Sequence, residues 1–214
     1  MDNNVFSTPE SQLARFGHFS RDLYRCSFYR DRWRRIMPEL VALDYFLAPA
    51  STKFHLCTRR GLLMHSVNVV NVALDLSERF CPFIPYERII ITALLHDVGK
   101  CGLLDAGKLH PRYIKNTEPY PSWPKQQKWW TPYIYADSKP MFTIRDLSAL
   151  YCSRWGLEPE VLQAVMVHDG AFEDANKKYG MNSTPLAYLI TAADYFCATT
   201  LETKDAVITR RYQP

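Results

Sequence analysis

Several features are scarce in this 214-residue sequence, and each scarcity excludes something. No apolar run reaches the roughly 18 residues that a membrane-spanning helix needs. The first residues, MDNNVFSTPESQL, carry neither a basic stretch nor an apolar core, so no secretory signal is expected. The six cysteines (Cys26, Cys57, Cys81, Cys101, Cys152 and Cys197) never form a CxxC pair. That argues against a disulfide framework or a zinc knuckle, and for reduced thiols in a cytoplasmic protein. Eight glycines are too few for a collagenous or linker-like chain. Charge of one sign is also scarce. Against 26 Lys+Arg stand 22 Asp+Glu, and the net +4 accommodates an anionic ligand without demanding nucleic acid.

What is present is the material of a globular domain. Hydrophobic residues make up 47% and charged residues 22%, and a chain of this length buries a core without help from a disulfide or metal. Residues 12–37 repeat apolar side chains at three- and four-residue spacing (Leu13, Phe16, Phe19, Leu23, then Phe28, Trp33, Ile36), which predicts one or two amphipathic helices. Pro38 is expected to open a short helix over 39–46, which Pro49 ends. Longer helical patterns cover 62–80 and 86–97. Residues 101–143 differ, because six prolines fall among tryptophans and tyrosines and exclude a long helix. There the runs 112–115 and 128–135 are expected to pair as a small hairpin with a long loop. Helical patterns return over 144–155, 158–168 and 185–200. The expected fold is all-α, a helical bundle with a small aromatic β-hairpin-like insertion.

Four segments place His or Asp within or beside strongly apolar helices: 61–65 (GLLMH), 93–100 (ALLHDVGK), 165–170 (VMVHDG) and 191–194 (TAAD). Burying such groups is costly unless they are paired or coordinate a metal. The imidazoles of His65 and His96 with the carboxylates of Asp97 and Asp194 form a mixed N/O donor set suited to Mn²⁺, Fe²⁺, Ni²⁺, Co²⁺ or Zn²⁺. Water and substrate oxygens would fill the remaining positions. A divalent ion lowers the pKa of its water and yields a hydroxide nucleophile near neutral pH. Taken singly, each piece has a plainer reading. His65 is then a hydrogen-bonded core histidine, and His96-Asp97 a helix C-terminal pair favoured by the dipole.

The order His65 … His96-Asp97 … Asp194 resembles the H…HD…D pattern of the HD-domain metal-dependent phosphohydrolases, over roughly residues 47–202. The entry segment through Gly61 and His65 is similar to that of YhaM-type 3′–5′ exoribonucleases and relaxase-associated proteins. The run from His96 to Lys100 matches the HDxGK form of the doublet, and the aromatic insertion resembles that of a group of bacterial and phage HD proteins. The resemblance implies a bundle of about five core helices around the metal. It divides the chain into an N-terminal helical extension packed on the core (1–46), an HD domain (47–202, insertion 105–140) and a tail (203–214). It implies a phosphohydrolase that cleaves a phosphoester of a nucleotide or of a nucleic-acid 3′ end through a metal-bound hydroxide. His65, His96, Asp97 and Asp194 would bind the ion, with Asp97, Lys100 and His168 catalytic and Lys100, His168 and Asp169 binding substrate. Two-metal relatives use further histidines between the doublet and the last Asp. Here only His110 and His168 lie in that interval, so a single ion is expected. The alternative is a non-catalytic HD module that binds a nucleotide or protein partner around a structural metal. Di-iron oxygenase chemistry, known among relatives, is disfavoured by the missing histidine.

Other features stay open on sequence alone. His55 is either an orienting partner of a ligand or a plain loop histidine. The arginines at 21, 25, 30, 32, 34 and 35 read as a solvated helix face partly paired with Asp22 and Asp31, with phosphate-backbone binding as the sharper alternative. Trp129, Trp130 and Tyr133, near Lys125 and Lys128, either stack on a base at the rim of the site or pack the insertion.

Overall fold

The computed structural model of the protein describes residues 9–122, 130–136, 142–169 and 183–202. Within them the chain runs through α1 (Pro9–Arg25), α2 (Arg30–Ala42), α3 (Gly61–Phe80), α4 (Tyr86–Leu95) and a 3₁₀ turn (Val98–Cys101). Two short hairpins follow, then α5 (Ile144–Arg154), α6 (Pro159–Val167), α7 (Pro185–Phe196) and a π-helical turn (Cys197–Leu201). The fold is all-α with a small β insertion, as expected.

Helix α3 is central. Every residue from Gly61 to Val70 is buried, the mark of a helix covered on all sides. Helices α1, α4 and α7 pack against it, α6 bridges α4 and α7, and α5 packs on α6. Local signals start the later helices. Thr143 and Asp146 form a reciprocal capping box at α5. Thr184 accepts from the Ala187 N–H at α7, where Pro185 occupies the first turn.

In α1 the inward stripe is Gln12, Phe16, Phe19 and Leu23. Leu13, expected on that stripe, is 45% exposed. Gln12 takes the inward place because its Nε2 donates to Asn68 Oδ1 of α3 at 3.0 Å, which offsets the cost of burying its amide.

Pro38 does not open a helix. Helix α2 runs straight through it, and residues 43–47 form turns. Trp33, Ile36 and Leu40 bury one face of α2, while Pro38 and Arg34 are exposed. The Arg34 carbonyl that loses its helical partner to proline lies on that solvated side, where water satisfies it.

The first hairpin pairs β1 (Gly102–Asp105) with β2 (Lys108–Pro111) through a two-residue turn at Ala106 and Gly107, both with positive φ (45° and 79°). It was not expected. Turns of this kind announce themselves by Asn-Gly or Asp-Gly, whereas an alanine at positive φ gives no such signal. The second pairs β3 (Tyr113–Lys115) with β4 (Tyr133–Tyr135), Ile114 opposite Ile134. This is the described part of the expected hairpin; Trp129, Lys125 and Lys128 lie outside the described residues. All six cysteines are free thiols. Among the described residues no helix is long and apolar enough to cross a membrane.

Candidate metal centre

His65 sits one turn inside the start of α3. Gly61 opens that helix pressed against the chain before it, since a Cβ there would come within 2.0 Å of the Leu56 carbonyl oxygen. Helix α4 ends at Leu95, two residues short of the expected 97. His96 caps it, with Nδ1 2.8 Å from the Ala93 carbonyl, and Asp97 turns away from helical geometry. The 3₁₀ turn that follows lies against the first turn of α5. Gly99 permits this, because a Cβ would meet the Ile144 carbonyl at 2.1 Å, and its N–H donates to Ser148 Oγ at 2.8 Å. Helix α6 ends in the same manner as α4. His168 caps it, with Nδ1 2.7 Å from the Val165 carbonyl. Both His-Asp doublets therefore end apolar helices with the imidazole tied back to the carbonyl three residues earlier.

These helix ends and α7 converge. His65 Nε2 lies 3.0 Å from Asp194 Oδ1 and 3.5 Å from Asp97 Oδ2. His96 Nε2 lies 3.3 Å from His65 Nε2, 3.3 Å from Asp97 Oδ2 and 3.8 Å from Asp194 Oδ1. Lys100 Nζ reaches the same Asp97 Oδ2 at 2.5 Å. His168 Nε2 lies 3.5 Å from Asp97 Oδ1 and 3.5 Å from Asp169 Oδ1. The imidazoles stand in a row, His55, His65, His96 and His168, with neighbouring ring centres 4.8, 5.2 and 4.8 Å apart.

The hydrogen bonds fix the chemistry of this row. A carbonyl or carboxylate only accepts, so Nδ1 of His65, His96 and His168 carries a hydrogen in each case. The second nitrogens of neutral His65 and His96 then face each other as lone pairs at 3.3 Å, beside two carboxylate oxygens. Such an arrangement requires a cation between them. The mutual separations of 3.0–3.8 Å match donors placed about 2.0–2.2 Å from one shared ion. His65, His96 and Asp194 thus group donor atoms that could hold a divalent metal, with Asp97 beside them, 3.3–3.5 Å from the two imidazoles and grouped in turn with His96 and His168; sequence positions 129 apart (194 − 65) meet there.

The charges around the row favour positive charge there. Burial opposes the charged form of His65, but Glu202, Asp194 and Asp97 outweigh it and hold the imidazole well above its usual range. Burial also acts against ionised Asp97, yet Lys100 and His96 keep the carboxyl well below its ordinary value. Asp194 is lowered to about 2, against burial, chiefly by His65. His168 is raised to about 9 against burial by Asp97, Asp169 and Asp194. Its Nε2 is buried and makes no regular hydrogen bond; its neighbours are the Asp97 and Asp169 carboxylates, each 3.5 Å away.

Lys100 was expected on a substrate phosphate, and the structure places it first on Asp97. Asp169 borders the centre with its side chain 53% exposed. His110 lies on β2, exposed, and takes no part. Trp130 is engaged within the insertion, its Nε1 donating to the Glu118 carbonyl and its ring edge-on to Tyr120. Three arginines of the basic segment are engaged within the protein. Arg30 bonds the Tyr24 and Arg25 carbonyls, Arg32 those of Gly156 and Phe28, and Arg34 pairs with Asp31.

One buried residue was missed altogether. Glu202 is 1% exposed and accepts from His65 Nδ1 at 3.0 Å, His55 Nδ1 at 2.5 Å and Asn68 Nδ2 at 3.0 Å. Those imidazoles hold its carboxyl far below the usual range despite burial. Its sequence context, a lone acid after Thr-Thr-Leu near a polar tail, carried no signal of burial. Glu202 also engages His55, whose Nδ1 bonds this carboxylate and whose ring packs edge-on against His65.

Compared with known proteins, residues 62–199 match the family model described as HD domain. No curated protein and no solved structure matches the chain.

Proposed function

The chain belongs to the HD-domain family, and from that premise we propose that it is a metal-dependent phosphohydrolase acting on a phosphoester of a nucleotide or of a nucleic-acid 3′ end. The observation that carries the proposal is the convergence of His65, His96 and Asp194, with Asp97 and His168 beside them, into donor groups that could hold a metal ion. A divalent ion held by His65, His96, Asp97 and Asp194 supplies Lewis acidity toward a phosphoryl oxygen and acidifies a water.

The chain's own residues do the rest. Asp97 divides its oxygens, Oδ2 toward His65, His96 and Lys100, Oδ1 toward His168. Oδ1 is the oxygen left to orient a water by accepting its hydrogen bond. His168, whose pKa is raised to about 9 by the carboxylates around it, presents Nε2–H, 3.5 Å from Asp97 Oδ1 and Asp169 Oδ1, to an arriving phosphate oxygen. Lys100 neutralises Asp97 and adds positive charge where a phosphate arrives. Tyr113 of β3 lies within the field of Lys100, so the aromatic insertion borders the centre and is the natural wall for a base.

The test is to strip the protein with chelator, reload it with Mn²⁺ or Co²⁺, and assay nucleotides and short oligonucleotides for phosphate or nucleotide release. Turnover should require the ion and vanish in Asp97→Ala together with bound metal. His168→Ala should retain the metal and lose turnover. A folded, metal-loaded protein that hydrolyses no phosphoester but binds a nucleotide would overturn the enzyme reading and leave the binding module.

A further inference from the structure

The geometry points to Glu202 as the positioning residue of the metal centre, clamping His65 from behind so that its Nε2 faces the ion. This rests on the reading of His65 as a ligand. No part of the family match reaches Glu202, which lies beyond residue 199.

The backbone explains how a residue eight positions after Asp194 comes to share its task. On a continuous α-helix two such residues point about 80° apart. Here the turn from Cys197 to Leu201 is π-helical, and the Glu202 N–H bonds the carbonyl of Cys197, five residues back. One extra residue is thereby absorbed. Asp194 and Glu202 behave like positions seven apart, within about 20° on one face and two turns from each other. His65 enters between them. Its Nε2 lies 3.0 Å from Asp194 Oδ1, and its Nδ1 lies 3.0 and 3.1 Å from the two Glu202 oxygens.

Glu202 is itself held. Asn68 Nδ2, from the turn of α3 after His65, donates to Oε1, and Gln12 of α1 donates to Asn68 Oδ1. His55 occupies Oε2. The carboxylate therefore cannot swing away, and three residues outside the family match, Gln12, His55 and Glu202, buttress a ligand inside it. A carboxylate behind a ligating imidazole fixes its tautomer and ring plane and strengthens its donor nitrogen; loss of such a partner costs about 10–100-fold in metal affinity.

The experiment titrates Co²⁺ alone into metal-free protein and follows both the dissociation constant and the visible absorption of the bound ion, beside a melting curve of each metal-free variant. Glu202→Gln should weaken Co²⁺ binding by about 10–100-fold and alter the absorption band. Asn68→Ala, which loosens Glu202 without touching His65, should weaken it in the same direction by about threefold or more, and keeps the inference open to refutation if the first variant does not fold. A Glu202 that merely supports the fold predicts a lower melting temperature with an unchanged band and Co²⁺ affinity within about twofold of the wild type; that result, in either folded variant, overturns the inference. His65→Ala is the control. If it binds Co²⁺ as the wild type does, the ligand assignment has failed; if it loses Co²⁺ while Glu202→Gln retains it, only the role of Glu202 has failed.

Discussion

Asp97 and Lys100 form an ion pair whose side chains are 4% and 13% exposed, with Nζ 2.5 Å from Oδ2. Asp97→Asn retains the shape and removes the charge. The ammonium is then left without its counter-charge in a site too dry to hydrate it. Removing one partner of a buried pair costs about 3–5 kcal/mol. Lys100→Met is milder, because Asp97 retains three imidazoles within 3.5 Å; the loss of one charge-assisted contact costs about 1.5–3 kcal/mol. In the double variant neither charge is stranded. Its cost should fall below that of Asp97→Asn alone, and well short of the summed single costs. Urea unfolding of the four metal-free proteins at pH 7 measures this cycle. Additivity within about 0.5 kcal/mol would show that the two groups do not stabilise each other and would refute the reasoning. Metal binding gives a second readout. Lys100→Met should retain the ion, since an ammonium is no ligand, whereas Asp97→Asn should lose it.

The metal-free protein should be most stable between about pH 4 and 6.5 and weaken on both sides. Asp194, lowered from 3.8 to about 2, stabilises the fold above pH 4 and loses that contribution as pH falls through about 2; Asp97 and Glu202 act in the same direction. His168, raised from 6.5 to about 9, contributes fully below pH 6.5 and loses its contribution as pH rises through about 9. A urea midpoint that stayed level from pH 7 to 9.5 would contradict the charged His168. Pro38→Ala should raise the urea midpoint by about 1–3 kcal/mol of stability, because α2 is already helical there and regains an N–H on an exposed face; a destabilised variant would mean that the ring is needed where it stands.

The helices were legible because their information is local. Apolar side chains three and four residues apart pick out one face whatever that face meets, and Thr143 and Thr184 cap their own helices within three residues. The His-Asp doublets were legible for a related reason. Each ends an apolar run, where a polar pair is costly unless it has a task. Gln12, Pro38 and Glu202 were not legible, because each is decided by what lies opposite. Gln12 faces inward only because Asn68 awaits it, 56 positions along the chain. Pro38 is tolerated only because packing turned its side of α2 to water. The π-helical turn rotates Glu202 into a site whose other members lie on α3 and before it. Period and composition describe a residue's own element, whereas the free energy of a buried amide or carboxylate is set by partners on other elements, and only the tertiary fold brings those partners within bonding distance.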